Sequence, residues 1–550
     1  MKNGKSSLNA VLIRCATLRD NWRLFRLGIK VANKVHPNPE QKPVVFFNAT
    51  ARLTGLSQNA AFAMLAAMGL QLDGVPVIYF ACQAGMSRCV LGTNRDDHLQ
   101  PPPCRGCIAQ AQRVFAHAPV SWFSYAPNPE LQAALGGLSI EQMSQFSYQL
   151  SATSSQRSAI NDEKIPLGSI VLPSLRWALR RYNLVDNEAT RFLFREYILS
   201  AYRVAQEYTA LLNQLEPQAA VIFNGIMYPE AVARWVAMQL GYRVITHEVG
   251  FEPFSAFFTD GQATAYPIHI PPDFEFSQEQ NARLDQYLER RFQGNFSMAG
   301  IRFWPEMRGL DEAFLQRAAQ YRQIVPVFTN VIYDTSQLHA NTVFPHMFAW
   351  LDLILGIIKN HPETLFVIRA HPDEMRPGTR KQSRESVRGW VQAHKVADLP
   401  NVVFVDSQEY LSSYQLIQHS KFVMVYNSSI GLEAVLLGVA VLCSGKARYT
   451  QYPTVFFPAT VQEYAQKAEE FLRAEKIAIP EEFSHNARRF MYYQHYRASL
   501  PFGDFIESAK RPGFVRLRSF RQEQLRSERC AAVHTILDGV IHNQPFLLPE

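Results

Sequence analysis

The chain has no apolar run approaching the ~18 residues that span a bilayer. It also lacks internal repeats and long low-complexity tracts, which argues against solenoid and disordered classes. The only apolar stretch near the start, Ala10 to Ile13, is broken at once by Arg14. It is too short for a secretory signal core, so a cytoplasmic protein is expected. Cysteine is scarce: seven in 550 residues, with Cys15, Cys443 and Cys530 isolated. The hydrophobic content of 47% is ordinary for a globular protein, and the length suggests two or more domains.

Charge is unevenly placed. The net +7 comes from 55 Lys and Arg against 48 Asp and Glu. Residues 1–43 hold nine of those cations and only Asp20 and Glu40, which accounts for the whole excess. A neutral body with a basic leader does not fit a long phosphate-tracking face, so no nucleic-acid partner is expected. Within the leader, Leu18, Trp22, Phe25 and Ile29 share one helical stripe. Arg19, Arg23, Arg26, Lys30 and Lys34 form another. Such a helix either lies on an anionic membrane surface or docks on the body with its charges in water. A second basic stretch, Lys510 to Arg529, could join the same surface.

The other four cysteines cluster: Cys82, Cys89, Cys104 and Cys107. In a cytoplasmic chain this favours metal ligation over disulfides. Cys104-Arg-Gly-Cys107 has knuckle spacing; the partner pair is wider. Four thiolates could hold a structural zinc ion or an iron–sulfur cluster. The bland reading is four reduced cysteines in a loop.

Apolar β-rich runs alternate with helical patterns, as in parallel α/β sheets. In the front half a strand at 43–48, a helix at 58–70 and a strand at 75–81 open a βαβ unit. Residues 128–216 read as mostly helical, and strands follow at 219–225 and 242–246. In the back half, strands at 325–330, 364–369, 401–406, 421–427 and 439–444 alternate with helices at 344–360, 380–394, 410–419 and 430–437. The expected class is α/β, with two Rossmann-like domains facing a cleft and a helical insertion in the first. The expected boundaries are a basic leader at 1–42, a first domain at 43–255, a connecting region at 256–321, a second domain at 322–475, and C-terminal helices and a tail at 476–550.

Ligands bind beyond the carboxyl ends of strands in such sheets. Two back-half strands end in polar clusters there: Arg369-Ala370-His371-Pro372, and Asn427-Ser428-Ser429 followed by a helix with Gly431 and Glu433 in its first turn. Free N–H groups and seryl hydroxyls could hold phosphate, and Glu433 could accept from a ribose. Thr329 and Asn330 end a neighbouring strand and could add donors. Ser428 and Ser429 are also ordinary helix caps. Lys446 and Arg448 could reach phosphate or lie in a solvated loop. In the front half, the strand ending in His247-Glu248 offers an acid–base pair, or a merely structural one. Asp334 and Arg52 are weaker candidates.

These residues resemble those of bacterial capsule and surface-polysaccharide biosynthesis proteins, a group of GT-B-type glycosyltransferases that includes the capsule Kdo transferases. The carrying motifs are Thr329-Asn330, Trp350-Leu351, Arg369-Ala-His-Pro372, Asn401-Val402, Tyr414-Gln-Leu416, Tyr426-Asn-Ser-Ser-Ile-Gly-Leu-Glu-Ala434 with Gly438, and Ser444-Gly-Lys-Ala-Arg-Tyr449. Phe223-Asn-Gly225 and His247-Glu-Val-Gly250 match in the front half. The likeness spans about 40–250 and 322–500 and omits the leader and the tail.

The resemblance implies a nucleotide-sugar donor on the second domain, contacting His371, Ser428 and Ser429. It also implies a polysaccharide or lipid-linked glycan acceptor, with the catalytic base on the first domain, where His247 and Glu248 are candidates. The chain has no Asp-x-Asp, the usual metal platform of GT-A enzymes. A catalytic site without a metal cofactor, built on Arg369 and His371, fits that absence. Localisation would be cytoplasmic, peripheral on the inner face of the membrane. Rival readings are a sugar-nucleotide epimerase, disfavoured by the lack of an acidic cluster, a polyol-phosphate transferase, and a non-catalytic assembly factor.

Overall fold

The computed structural model describes residues 2–49, 53–150, 164–293, 307–376 and 382–550, with side chains from residue 17 onwards. Arg52 lies outside them.

Two α/β sheets organise the chain. The first has seven strands. At its centre Val44–Phe47 runs parallel to Val77–Cys82 on one side and Ala219–Phe223 on the other. Val120–Phe123 and Arg243–Val249 extend it in parallel. Ser255–Thr259 and then Leu500–Pro501 close one edge antiparallel. All four residues of Val44–Phe47 are buried, as expected of an apolar run covered on both faces.

One face carries the helix Gln58–Leu72, buried at every position. A helix apolar nearly all round must be covered on all sides. Its cover is the C-terminal helix Ala531–His542 and the turn Gln522–Leu525. The tail therefore completes the first domain's core rather than extending from the second. The other face carries the helical insertion, chiefly Leu167–Leu179 and Glu188–Leu215, together with Tyr228–Gln239.

The second sheet has five parallel strands in the order Val402–Val405, Thr364–Arg369, Gln323–Phe328, Val423–Val425, Val441–Cys443. The chain starts in the middle, winds two strands outward, then returns to wind the other way. The reversal falls between Gln323–Phe328 and Val423–Val425, and a crevice opens at such a switch point. The α/β expectation of two Rossmann-like domains facing a cleft is what the structure contains. The helix expected at 380–394 is shorter, Val387–Ala393, because Ser386 caps it by accepting from Gly389 N. Helices Val461–Arg473 and Glu481–Tyr492 follow the second sheet, after which the chain crosses to Leu500–Pro501 in the first.

The leader helix Lys2–Ala32 docks on the first domain through Leu24, Leu27 and Val31. No helix among the described residues is long and apolar enough to cross a membrane.

Candidate functional site

A cavity of about 1070 Å³ lies between the two domains, lined by strand ends of both sheets. Thr329, Asn330, Arg369, His371, Pro372, Asn427, Ser428, Ser429 and Glu433 all line it from the back half, and Glu248 from the front half. Lys446, Arg448 and Asp334 also reach it.

Arg369 ends its strand only 6% exposed. One terminal nitrogen donates to Leu411 O at 2.9 Å, while Nε has no partner. Burial pushes its guanidinium down to about 10. A buried cation without a counter-charge is costly, and an anionic ligand would offset that cost. Beside it, His371 Nδ1 accepts from Asp373 N at 3.1 Å, which leaves Nε2 as the proton-bearing nitrogen of a neutral ring. Thr329 Oγ1 donates to Arg369 O at 2.9 Å and ties two adjacent strand ends together.

The turn after Val423–Val425 is held from several sides. Asn427 N donates to Asn330 Oδ1 at 3.3 Å, and Gln337 donates to Asn427 Oδ1 at 3.1 Å. Tyr449 donates to Ser428 O at 2.8 Å.

Three expectations are corrected here. Gly431 does not line the cavity: a Cβ there would come within 2.3 Å of Tyr449 Oη, so glycine is needed for packing rather than binding. Ser429 is the cap residue of Ile430–Leu436 but makes no side-chain capping bond, because its backbone is already helical. Glu433 is committed: Oε1 pairs with Arg291 at 2.6 Å and Oε2 accepts from Tyr414 Oη at 2.5 Å. A ribose would have to share an occupied carboxylate.

The front wall yields a fourth correction. His247 does not line the cavity. Successive residues of a strand point to opposite faces, and His247 packs against Phe223 and stacks on Phe258 at 5.1 Å. Burial pushes it down to about 3, so it is neutral. Its neighbour Glu248 faces the cavity. Asn59 and Asn224 donate to its two oxygens at 2.8 and 2.7 Å, and Val249 N adds a third bond at 2.9 Å. Asn224 reaches that carboxylate from a left-handed backbone conformation, φ +61°. Sequence reading missed Asn59 and Asn224, which lie 189 and 24 residues from the group they hold. It also missed Arg291, placed in the connecting region, and His495, which lines the cavity and bonds Glu252 at 2.7 Å and Tyr287 Oη at 3.0 Å.

Residues 279–453 match the family model described as capsule polysaccharide biosynthesis protein. Over that stretch the resemblance read from the motifs is borne out. Protein FixF of Sinorhizobium fredii is 29% identical over 238 residues, 42% of this chain. The match spans about half, 48%, of that relative's length.

Among solved structures, the β-Kdo 2,4-transferase KpsC of Thermosulfurimonas dismutans is 12% identical with a TM-score of 0.31, covering 51% of this chain and 80% of its own. The UDP-GlcNAc 2-epimerase of Neisseria meningitidis is 12% identical with a TM-score of 0.22, covering 82% and 98%. At these scores the two superpositions carry no argument about chemistry.

Proposed function

We propose that the chain is a GT-B-type glycosyltransferase that moves a sugar from a nucleotide-sugar donor to a capsule or other surface glycan. The observation that supports this best is Arg369, a buried cation with no counter-charge among the described residues, at the end of the strand next to the topological switch point. Glycosyl transfer breaks a bond to a phosphate leaving group while positive charge grows on the sugar. Arg369, the His371 imidazole and the Ser428 and Ser429 hydroxyls would take the phosphate charge, with Lys446 and Arg448 alongside. Catalysis then needs no metal cofactor on this reading. Glu248, held by two amide donors on the opposite wall, would take the acceptor hydroxyl's proton. An assembly factor has no need for Arg369, His371 and Ser428 to share one cavity with a carboxylate opposite.

The test is thermal stabilisation by CMP, CDP, UDP and GDP. A ligand at a hundred times its Kd adds about 2.7 kcal/mol to the native state. One nucleotide should stand out. Failure of all of them would favour the assembly-factor reading, and turnover of CDP-glycerol would select polyol-phosphate transfer.

We also propose that the leader helix rests on an anionic membrane, on its cytoplasmic face, which would bring the cleft to a lipid-linked acceptor. Leu18, Trp22, Phe25 and Ile29 are 69, 58, 47 and 41% exposed. At about 100° per residue they fill an arc of only ~60°. The docking residues lie on the opposite side, with Arg19, Arg23, Arg26 and Lys30 between. The strand Phe514–Leu517 packs against the same helix. Each cation near an anionic surface contributes roughly 1 kcal/mol.

A further inference from the structure

A second, small cavity of about 20 Å³ lies under the loop that follows Val77–Cys82. Cys82, Cys89, Cys104 and Cys107 all line it. The remaining wall is Met, Leu, Ile, Ala and Pro, with no side-chain oxygen or nitrogen. A volume of ~10–15 Å³ is enough for one water, but a water needs two to four polar partners, and this cavity offers a water only sulfur.

The four thiols form one group. Each of the six pairs is close enough for the charges to act on one another. None is in a disulfide. Backbone N–H groups are aimed at the sulfurs: Gly85 N donates to Cys82 Sγ and Gly92 N to Cys89 Sγ, both at 3.2 Å. The Leu53 N–H points to Cys107. The same three-residue step, cysteine to glycine, is thus built twice. At Gly92 a Cβ would come within 2.8 Å of Cys89 Sγ and 2.7 Å of Pro102 Cβ, so no larger residue lets this N–H approach. A neutral thiol is a weak acceptor and gains little from such donors, whereas a metal-bound thiolate is oriented and tuned by them.

No three ligating side chains among the described residues stand close enough to grip one ion as placed. The sulfurs nonetheless ring a single hole.

We propose that Cys82, Cys89, Cys104 and Cys107 together bind a soft metal centre through four thiolates. The occupant is either one zinc ion, after the ring contracts, or an iron–sulfur cluster at the wider spacing. On binding, four S–H bonds give way to four S–metal bonds and four protons leave. With Zn²⁺ the centre passes from 2+ to a net 2−, with no change of oxidation state. Cys89 lines both this cavity and the large cleft, so the centre would brace that cleft's front wall. This inference is independent of the proposed transferase activity.

The experiment is elemental and acid-labile sulfide analysis of the full chain, purified anaerobically without chelator. About one zinc per chain, or iron and sulfide in matching amounts with visible charge-transfer absorption, is the expected result. Cys104→Ser/Cys107→Ser should lower the metal content at least tenfold. Cys104→Ser alone, at the half-exposed position, serves if the double variant fails to fold. Metal below a tenth of an equivalent in the wild type would overturn the proposal. Metal fully retained by either variant would overturn it too.

Discussion

Arg291 and Glu433 form a buried ion pair at 2.6 Å, joining the helix Gln278–Phe292 to the helix Ile430–Leu436 at the back-half wall of the cleft. Tyr414 completes the carboxylate's bonding from a third element. Breaking one side of such a pair leaves an uncompensated charge, at a cost of about 3–5 kcal/mol. Arg291→Met should therefore destabilise the chain by that amount in urea unfolding. Arg291→Met with Glu433→Gln should recover most of it. Independent, additive losses would show that the pair carries no coupling.

Arg369 should behave in the opposite way. Its charge is buried with no counter-charge among the described residues, so Arg369→Met should leave stability unchanged or raise it. The same change should abolish thermal stabilisation by the preferred nucleotide. A charge-assisted hydrogen bond is worth about 1.5–3 kcal/mol, which is roughly 10- to 150-fold in Kd. Unchanged nucleotide affinity would remove Arg369 from the site.

Glu248→Gln keeps the shape and one of the two amide contacts, from Asn59 or Asn224, while removing the base. Turnover should fall about 10²- to 10⁴-fold with donor affinity retained. His247→Phe, on the strand's other face among Phe223 and Phe258, should retain near-normal turnover. A large loss of turnover in His247→Phe without loss of stability would reverse these roles.

Acid should destabilise the fold through its buried histidines. Burial pushes His117 and His247 from 6.5 down to about 3. Between those values the unfolded state binds a proton that the folded state refuses. Stability is therefore full above pH ~6.5 and falls as pH drops towards 3. The slope is about 1.4 kcal/mol per pH unit for each histidine. Replacing His247 with Phe should remove one such increment from urea midpoints measured between pH 7 and pH 5.

The leader predicts its own readout. Vesicles containing phosphatidylglycerol should co-sediment the chain, with binding weakened by salt and blue-shifted Trp22 emission. Leu18→Ser with Phe25→Ser should abolish this without changing thermal stability, because both side chains already face water. If both forms bind vesicles equally, or if the wild type instead dimerises through this stripe, the membrane assignment falls.

Much of the back-half wall of the cleft was legible in the chain because its information is local. Each strand is a short apolar run, each ends in a polar cluster, and the sheet geometry brings such ends to one rim. The front-half wall was less legible. Reading His247-Glu248 as a pair could not say which side chain faces the cleft, since a one-residue shift exchanges the faces. Ser429 is the cap residue the sequence suggests, but it makes no side-chain capping bond because its own backbone is already helical. Gly431, which sequence places both among donor-binding candidates and among packing glycines, serves packing, because Tyr449, eighteen residues on, lies against it.

Sequence alone settled the class of the chain: period-two and period-3.6 patterns depend on neighbours a few residues apart, and these specify strands, helices and their alternation. Tertiary structure decided which chemistry meets which. The partners of Glu248 and Glu433 come from segments about twenty to nearly two hundred residues away, and only the packing of helices against the strands brings them within hydrogen-bonding distance.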